Sequence, residues 1–253
     1  MYQELRPPLG LSHLACGWIA DDAGASVLPD GCVDVVLHAG QLVVAGPATS
    51  AVEVPGAPGQ HSCGVRFRVG AAAASLGVPV DVLRDLTVPL QELWGVEGRR
   101  LSEAAAEGPD AEASLRVILR GFSEPRVRLD GAARRAAELA VNRPFHAISR
   151  ELGFSERQLR RRVEQAVGYG PRMLGRVLRL QRFLQGCERD RGASLARLAA
   201  EAGFADQAHL ARECRELTGR TPSMLRAAGA TAAGERTADA YKTDAPGATI
   251  LVL

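Results

Sequence analysis

"AISRELGFSERQLRRRVEQAVGYGPRML" (residues 147–174) and "RLAAEAGFADQAHLARECRELTGRTPSML" (residues 197–225) are two copies of one pattern. Glu151 aligns with Glu201, Gly153 with Gly203, Phe154 with Phe204, Leu159 with Leu210, Arg161 with Arg212, Gly168 with Gly219 and Pro171 with Pro222. The register moves from 50 to 51 residues through one extra residue, placed most simply at His209. Each copy reads as a short helix, a Gly-Phe turn, a longer helix, a glycine, and a proline that opens a further helix. Gly153 and Gly203 fall where the first helix must leave in a left-handed conformation. Ser155 and Asp206 follow the turn and can accept the free N–H groups of the next helix. That helix buries Leu159, Val163 and Val167 in one copy and Leu210, Cys214 and Leu217 in the other. Two short helices on a tight glycine turn make a helix-turn-helix, whose second helix fits the major groove of DNA.

A helix starting at Pro171, "PRMLGRVLRLQRFLQG", joins the copies, and this tandem arrangement is far more specific than either unit alone. From Leu129 to Ala228 the sequence resembles the DNA-binding domain of the AraC/XylS transcription regulators, with "GFADQAHLARECRELTGRTPSMLR" close to that family's signature. Cys214 departs from the family's usual phenylalanine, as does Val163 at the equivalent place, and both remain apolar. The resemblance implies seven helices, with two helix-turn-helix units about one DNA turn apart on successive major grooves.

With Leu159 and Val163 turned inward, helical geometry sends Arg157, Arg160 and Arg161 outward, flanked by Gln158 and Arg162. The resemblance puts Arg157, Arg160 and Arg161 at base-contacting positions, where arginine favours the O6 and N7 acceptors of guanine. Arg162 reads as solvated or phosphate-facing. In the second unit Gln207, Ala208, Ala211 and Arg212 form the equivalent arc, with His209 beside it. Gln207 suits adenine, Arg212 guanine, and Ala208 or Ala211 a thymine methyl, while Glu216, one turn on, competes for Arg212. Arg172, Arg176, Arg179 and Arg182 on the joining helix read as solubilising and as long-range attraction.

Charge supports a polyanionic partner. The chain has 253 residues, 46% hydrophobic and 24% charged, with net charge +2. Lys242 is its one lysine among 31 basic residues, so arginine richness alone says little. Its distribution says more. Residues 1–127 hold 9 Arg against 15 Asp and Glu, and residues 128–228 hold 20 Arg against 11. An acidic half joined to a basic half points to nucleic acid as the partner of the second. No apolar run nears the roughly 20 residues of a membrane span, and the N-terminus is a poor export signal. The five scattered cysteines (16, 32, 63, 187 and 214) include no CxxC, so the expectation is reduced, mostly buried thiols in the cytoplasm.

Residues 1–122 read as an α+β domain, a small antiparallel sheet or barrel plus helices. Short strands in "SVLPDG", "CVDVVLHAG", "QLVVAGP", "SAVEVPG" and "HSCGVRFRVG" precede helices in "AAAASLG", "VDVLRDL", "LQELWG", "GRRLSEAAAE" and "DAEASLRVILRGF". This part resembles an uncharacterised domain found in front of such DNA readers, in the place of an effector or dimerisation domain. Residues 123–128 are expected to be a linker, 129–228 the all-α reader, and 229–253 a disordered tail whose closing "TILVL" is a candidate docking strand. His13, His38 and His61 stand apart, so neither metal nor cofactor is assigned. Cys32 reads as a small core residue, and Trp18 and Trp94 as core or interface anchors. Arg66 and Arg68 would share a strand face, suiting an anionic effector or, more simply, surface salt bridges. The chain is thus expected to be a non-enzymatic, sequence-specific transcription regulator controlled through its N-terminal domain. Its expected partner is double-stranded DNA. RNA polymerase, an unidentified small-molecule effector and a second copy of the chain are further candidates, and a membrane is not. A methyl-accepting DNA-repair protein is the alternative, disfavoured because no Pro-Cys-His or zinc-type cysteine motif is present.

Overall fold

The computed structural model describes residues 2–6, 11, 13–21, 24–55, 61–140, 143–231, 235–236 and 249–250. The first half begins with strands β1 (Tyr2–Arg6), β2 (Leu14–Asp21), β3 (Ala25–Val27), β4 (Asp34–His38), β5 (Gln41–Ala45), β6 (Val52–Val54) and β7 (His61–Phe67). Helix α1 (Ala72–Leu76), a 3-10 turn (Val80–Leu83), β8 (Thr87–Pro89), α2 (Leu90–Trp94), α3 (Val96–Ala106) and α4 (Ala111–Gly121) follow. Strands β1, β2, β7, β4, β5 and β8 lie side by side in that order, every pair antiparallel. The sheet is open: β8 pairs with β5, not with the far edge. Strand β3 pairs with β6 in a smaller sheet.

Alternation along the strands turns Val35, Leu42, Val44, Val65 and Phe67 into a core with Leu115, Ile118 and Leu119 of α4. Phe122 closes it, edge-on to Phe67 at 5.5 Å and tilted on Trp94 at 4.8 Å. The expected linker, residues 123–128, has no helix or strand, yet it is held down: Val127 N donates to Ala74 O at 3.0 Å, and the Arg126 guanidinium covers the Trp94 ring.

Among the described residues, seven helices form the second half: α5 (Gly131–Ala140), α6 (Phe145–Glu151), α7 (Glu156–Val167), α8 (Pro171–Arg189), α9 (Leu195–Ala202), α10 (Gln207–Thr218) and α11 (Pro222–Thr231). Helices α6–α7 and α9–α10 are the two helix-turn-helix units, and α8 joins them. Each unit has its own core. Ile148, Leu159, Val163 and Val167 build the first; Leu198, Phe204, Leu210, Cys214 and Leu217 build the second.

The two halves are packed together by the segment Leu28–Val33. Cys32 enters the first helical core and Leu28 the second, while Gln181 of α8 donates from Nε2 to Pro29 O at 2.7 Å. Arg66 holds this segment from beneath, and here the surface salt-bridge expectation is corrected. Its side chain is 3% exposed. It donates from Nη2 to Asp34 Oδ2 at 2.9 Å and lies 3.7 Å from Asp30 Oδ2. Asp30 in turn accepts from Cys32 N, and Asp34 from Trp18 Nε1. The strand alternation placed Arg66 on one face, but the docked loop that buries that face is supplied from more than 30 residues away. Arg68 lies just beyond the end of β7.

The described parts of the tail beyond α11 are two-residue strands, β9 (Glu235–Arg236) beside β3 and β10 (Thr249–Ile250) beside β1, both parallel. The rest of the tail, and with it the expectation of disorder over 229–253, falls outside the described residues. No described helix is long and apolar enough to cross a membrane.

Candidate nucleic-acid interface

Both outer helices are built as their local sequence dictates. Gly153 and Gly203 carry φ of 73° and 87°, the left-handed backbone that ends α6 and α9 without a Cβ clash. Ser155 Oγ then accepts from Gln158 N at 3.3 Å, and Asp206 Oδ1 from His209 N at 2.6 Å. Each following helix has 12 residues.

These caps correct the alignment. Ser155 and Asp206 are equivalent, so the extra residue of the second copy is Ala205 in the turn, not His209 in the helix. The physical reason is plain: one residue added inside a helix would rotate everything beyond it by about 100° and swing Leu210 off the core. A turn absorbs it. Arg157 therefore corresponds to Ala208, Gln158 to His209, Arg160 to Ala211 and Arg161 to Arg212.

Gln158 and His209, the third residues of their helices, are both folded back onto the turn. Gln158 Oε1 accepts from Ser155 N at 3.1 Å, completing a capping box. His209 Nδ1 accepts from Ala205 N at 3.3 Å, and its ring stands edge-on to Phe204 at 5.4 Å. Arg157, Arg160 and Arg161 are exposed on α7, and Gln207, Ala208 and Arg212 on α10, with Ala211 half-buried between them.

Arg162 departs from the sequence expectation. It grips Asp130 with two hydrogen bonds, Nε to Oδ2 at 2.8 Å and Nη2 to Oδ1 at 2.9 Å, and lies over the Phe154 ring. Burial pushes the Asp130 carboxyl up, but the Arg162 hydrogen bonds and the N–H groups of Ala132 and Ala133 outweigh it and hold it below its ordinary value. Arg176 departs too. It donates to Glu213 Oε2 at 2.7 Å and also to Glu216, tying α8 to α10. Glu216 is thereby taken by Arg176, and Arg212 makes no ion pair among the described residues. Sequence reasoning missed Asp130 and Glu213 as partners and assigned Glu216 to Arg212, because the actual pairs are 32 to 40 residues apart. Arg160 of α7 and Arg172 and Arg176 of α8 line an open hollow of about 460 Å³ beside the start of α8. Arg179 lies 5.7 Å over the Phe204 ring.

The thiols offer no reactive group. All five cysteines are buried, and burial pushes Cys16, Cys63 and Cys214 up to about 12 and Cys187 to about 11, with Cys32 raised as well. Among the described residues no three His, Cys, Asp or Glu side chains converge as a metal-holding group.

Comparison with known proteins adds two matches. Residues 148–228 match a helix-turn-helix domain family, and residues 3–89 match a domain of unknown function, DUF6597. No curated protein matches the chain. Among solved structures the chain is similar to ToxT from Vibrio cholerae O395, at 13% identity and a TM-score of 0.42, covering 89% of this chain and 95% of that one. A fatty-acid-bound ToxT from Vibrio cholerae strain SCE256 has 14% identity and a TM-score of 0.42, over 89% and 93%. The transcriptional regulator CdpR from Pseudomonas aeruginosa has 17% identity and a TM-score of 0.34, over 68% and 46%.

Proposed function

We propose that the chain, whose residues 148–228 match a helix-turn-helix domain family, is a DNA-binding transcription regulator of the AraC type and reads one asymmetric operator by inserting α7 and α10 into successive major grooves. The observation that carries this reading is the pair of equivalent, capped, outward-facing helices on one rigid joining helix. In the first groove Arg157, Arg160 and Arg161 are the base readers, suited to guanine-rich sequence. In the second, Gln207 and Arg212 supply the hydrogen bonds, and the small Ala208 and Ala211 let the helix approach thymine methyls. Gln158 and His209 act through the turn, keeping the first turn of each helix at a fixed angle. The acidic first domain acts as the controlling domain, since its Leu28–Val33 segment enters both helical cores. A small-molecule effector, RNA polymerase and a second copy of the chain are the partners through which such control would run.

Selection of bound duplexes from random DNA by the full chain, followed by footprinting, tests the proposal. Two dissimilar protected blocks with centres about 10–10.5 base pairs apart are expected. A single short block would refute two working readers.

A further inference from the structure

Two loops of the first domain reach the C-terminal ends of both reading helices. The last carbonyls of a helix have no intrahelical donor. At the end of α7 the carbonyl of Gly168 accepts from Arg84 Nε at 2.6 Å. In the last turn of α10 the carbonyl of Leu217 accepts from Ala51 N at 2.8 Å. Arg84 and Ala51 belong to loops 83–86 and 46–51, and these are braced into one body. Gly46 N donates to Leu86 O at 2.9 Å, and Asp85 N to Pro47 O at 3.2 Å. Asp85 Oδ1 accepts from Thr49 N at 2.6 Å, and both its carboxylate oxygens accept from Thr49 Oγ1. Asp85 does this from a left-handed backbone (φ 57°), a conformation an aspartate adopts at some cost and keeps only where its surroundings insist on it. The fit at α7 is close: a Cβ on Gly168 would lie 2.2 Å from Pro47 Cγ and 3.1 Å from Val80 Cγ1.

We propose that this braced pair of loops is a bracket that sets the separation and angle of α7 and α10, with Arg84 a positioning residue for DNA recognition. Joining helix α8 fixes where the two units begin; the bracket fixes where their reading helices end. The first domain thereby determines how many base pairs separate the two blocks of the operator. Movement of loops 46–51 and 83–86 would be felt by both readers at once. The inference rests on the two-reader function proposed above.

The test uses the full chain and fluorescence anisotropy on four kinds of duplex: the selected site, the same site with one or two base pairs inserted between its blocks, and each block alone. An inserted base pair displaces one block by about 3.4 Å and 34°. The unaltered protein is expected to lose roughly tenfold in affinity per insertion. Arg84→Met removes the donor and should cut that penalty to threefold or less, with single-block affinity and melting temperature little changed. Arg84→Lys, which keeps a donor, should restore much of the penalty. Asp85→Gly, which relaxes the backbone but frees Thr49, should act like Arg84→Met. If both Arg84→Met and Asp85→Gly keep the full penalty, the bracket is overturned while the two-reader function stands. Equal loss on single blocks and on the spaced site would also overturn it, by showing general damage. A wild-type protein indifferent to spacing would overturn both readings.

Discussion

Arg157, Arg160, Arg161 and Arg162 are consecutive enough to look alike in the sequence, and their surroundings divide them. Three are exposed, and the fourth is committed to Asp130 and Phe154. Arg162→Ala should therefore leave base preference unchanged and lower stability modestly, by about 1 kcal/mol at most for a half-exposed pair. The same pair has a pH signature. Asp130 titrates below its ordinary value when folded, so its contribution is present above the unfolded carboxylate pKa, about 4, and is lost as pH falls through the lower folded value. The stability gap between the protein and Asp130→Asn should accordingly be full at pH 7 and close below pH 4, as measured by urea unfolding across that range; a gap that widens on acidification would contradict the pairing. The cysteines give a second check. With every thiol buried and pushed upward by burial, a thiol reagent at pH 8 should label the folded chain slowly and all five sites on unfolding. Rapid labelling of Cys32 in the folded chain would contradict its burial between the two halves. Inward and outward positions on α7 were legible from spacing alone. The partner of Arg162 was not, because nothing local ties residue 162 to residue 130.

Helices α7 and α10 owe their placement to caps and glycine turns that can be read from a few letters of sequence. Ser155, Asp206, Gly153 and Gly203 do what their residue types lead one to expect. The extra residue was misplaced in the sequence alignment because identity at Arg212 does not say where, between Phe204 and Leu210, the chain lengthens. Cap geometry does. Asp206→Ala should cost about 1 kcal/mol, as should Ser155→Ala, the ordinary value of a lost N-cap. Leu159→Ala, at a fully buried site, should cost about 2–5 kcal/mol and abolish binding through the first block. Thermal unfolding of the three variants checks the order; equal losses would mean that α7 is not seated on the first core as described.

Across the molecule, the two-part organisation was visible in composition and charge, whereas the docking of one half into the other was not. Leu28, Cys32, Ala51 and Arg84 meet helices more than 80 residues further along, and no periodicity or turn signal encodes such contacts. The buried Arg66 cluster belongs with them, since its burial depends on that docking. The charge partition has its own consequence: affinity for DNA should fall steeply as salt rises, with a slope reporting the phosphates contacted, and an affinity indifferent to salt would remove the electrostatic basis of the interface. The most direct test of two independent readers is to repeat the DNA selection with Arg161→Ala and with Arg212→Ala, equivalent positions on α7 and α10. Each substitution is predicted to erase preference in one block, by about 1–3 kcal/mol at the base concerned, and to leave the other block intact. Loss from the same block in both variants, or uniform weakening on every sequence, would contradict the account.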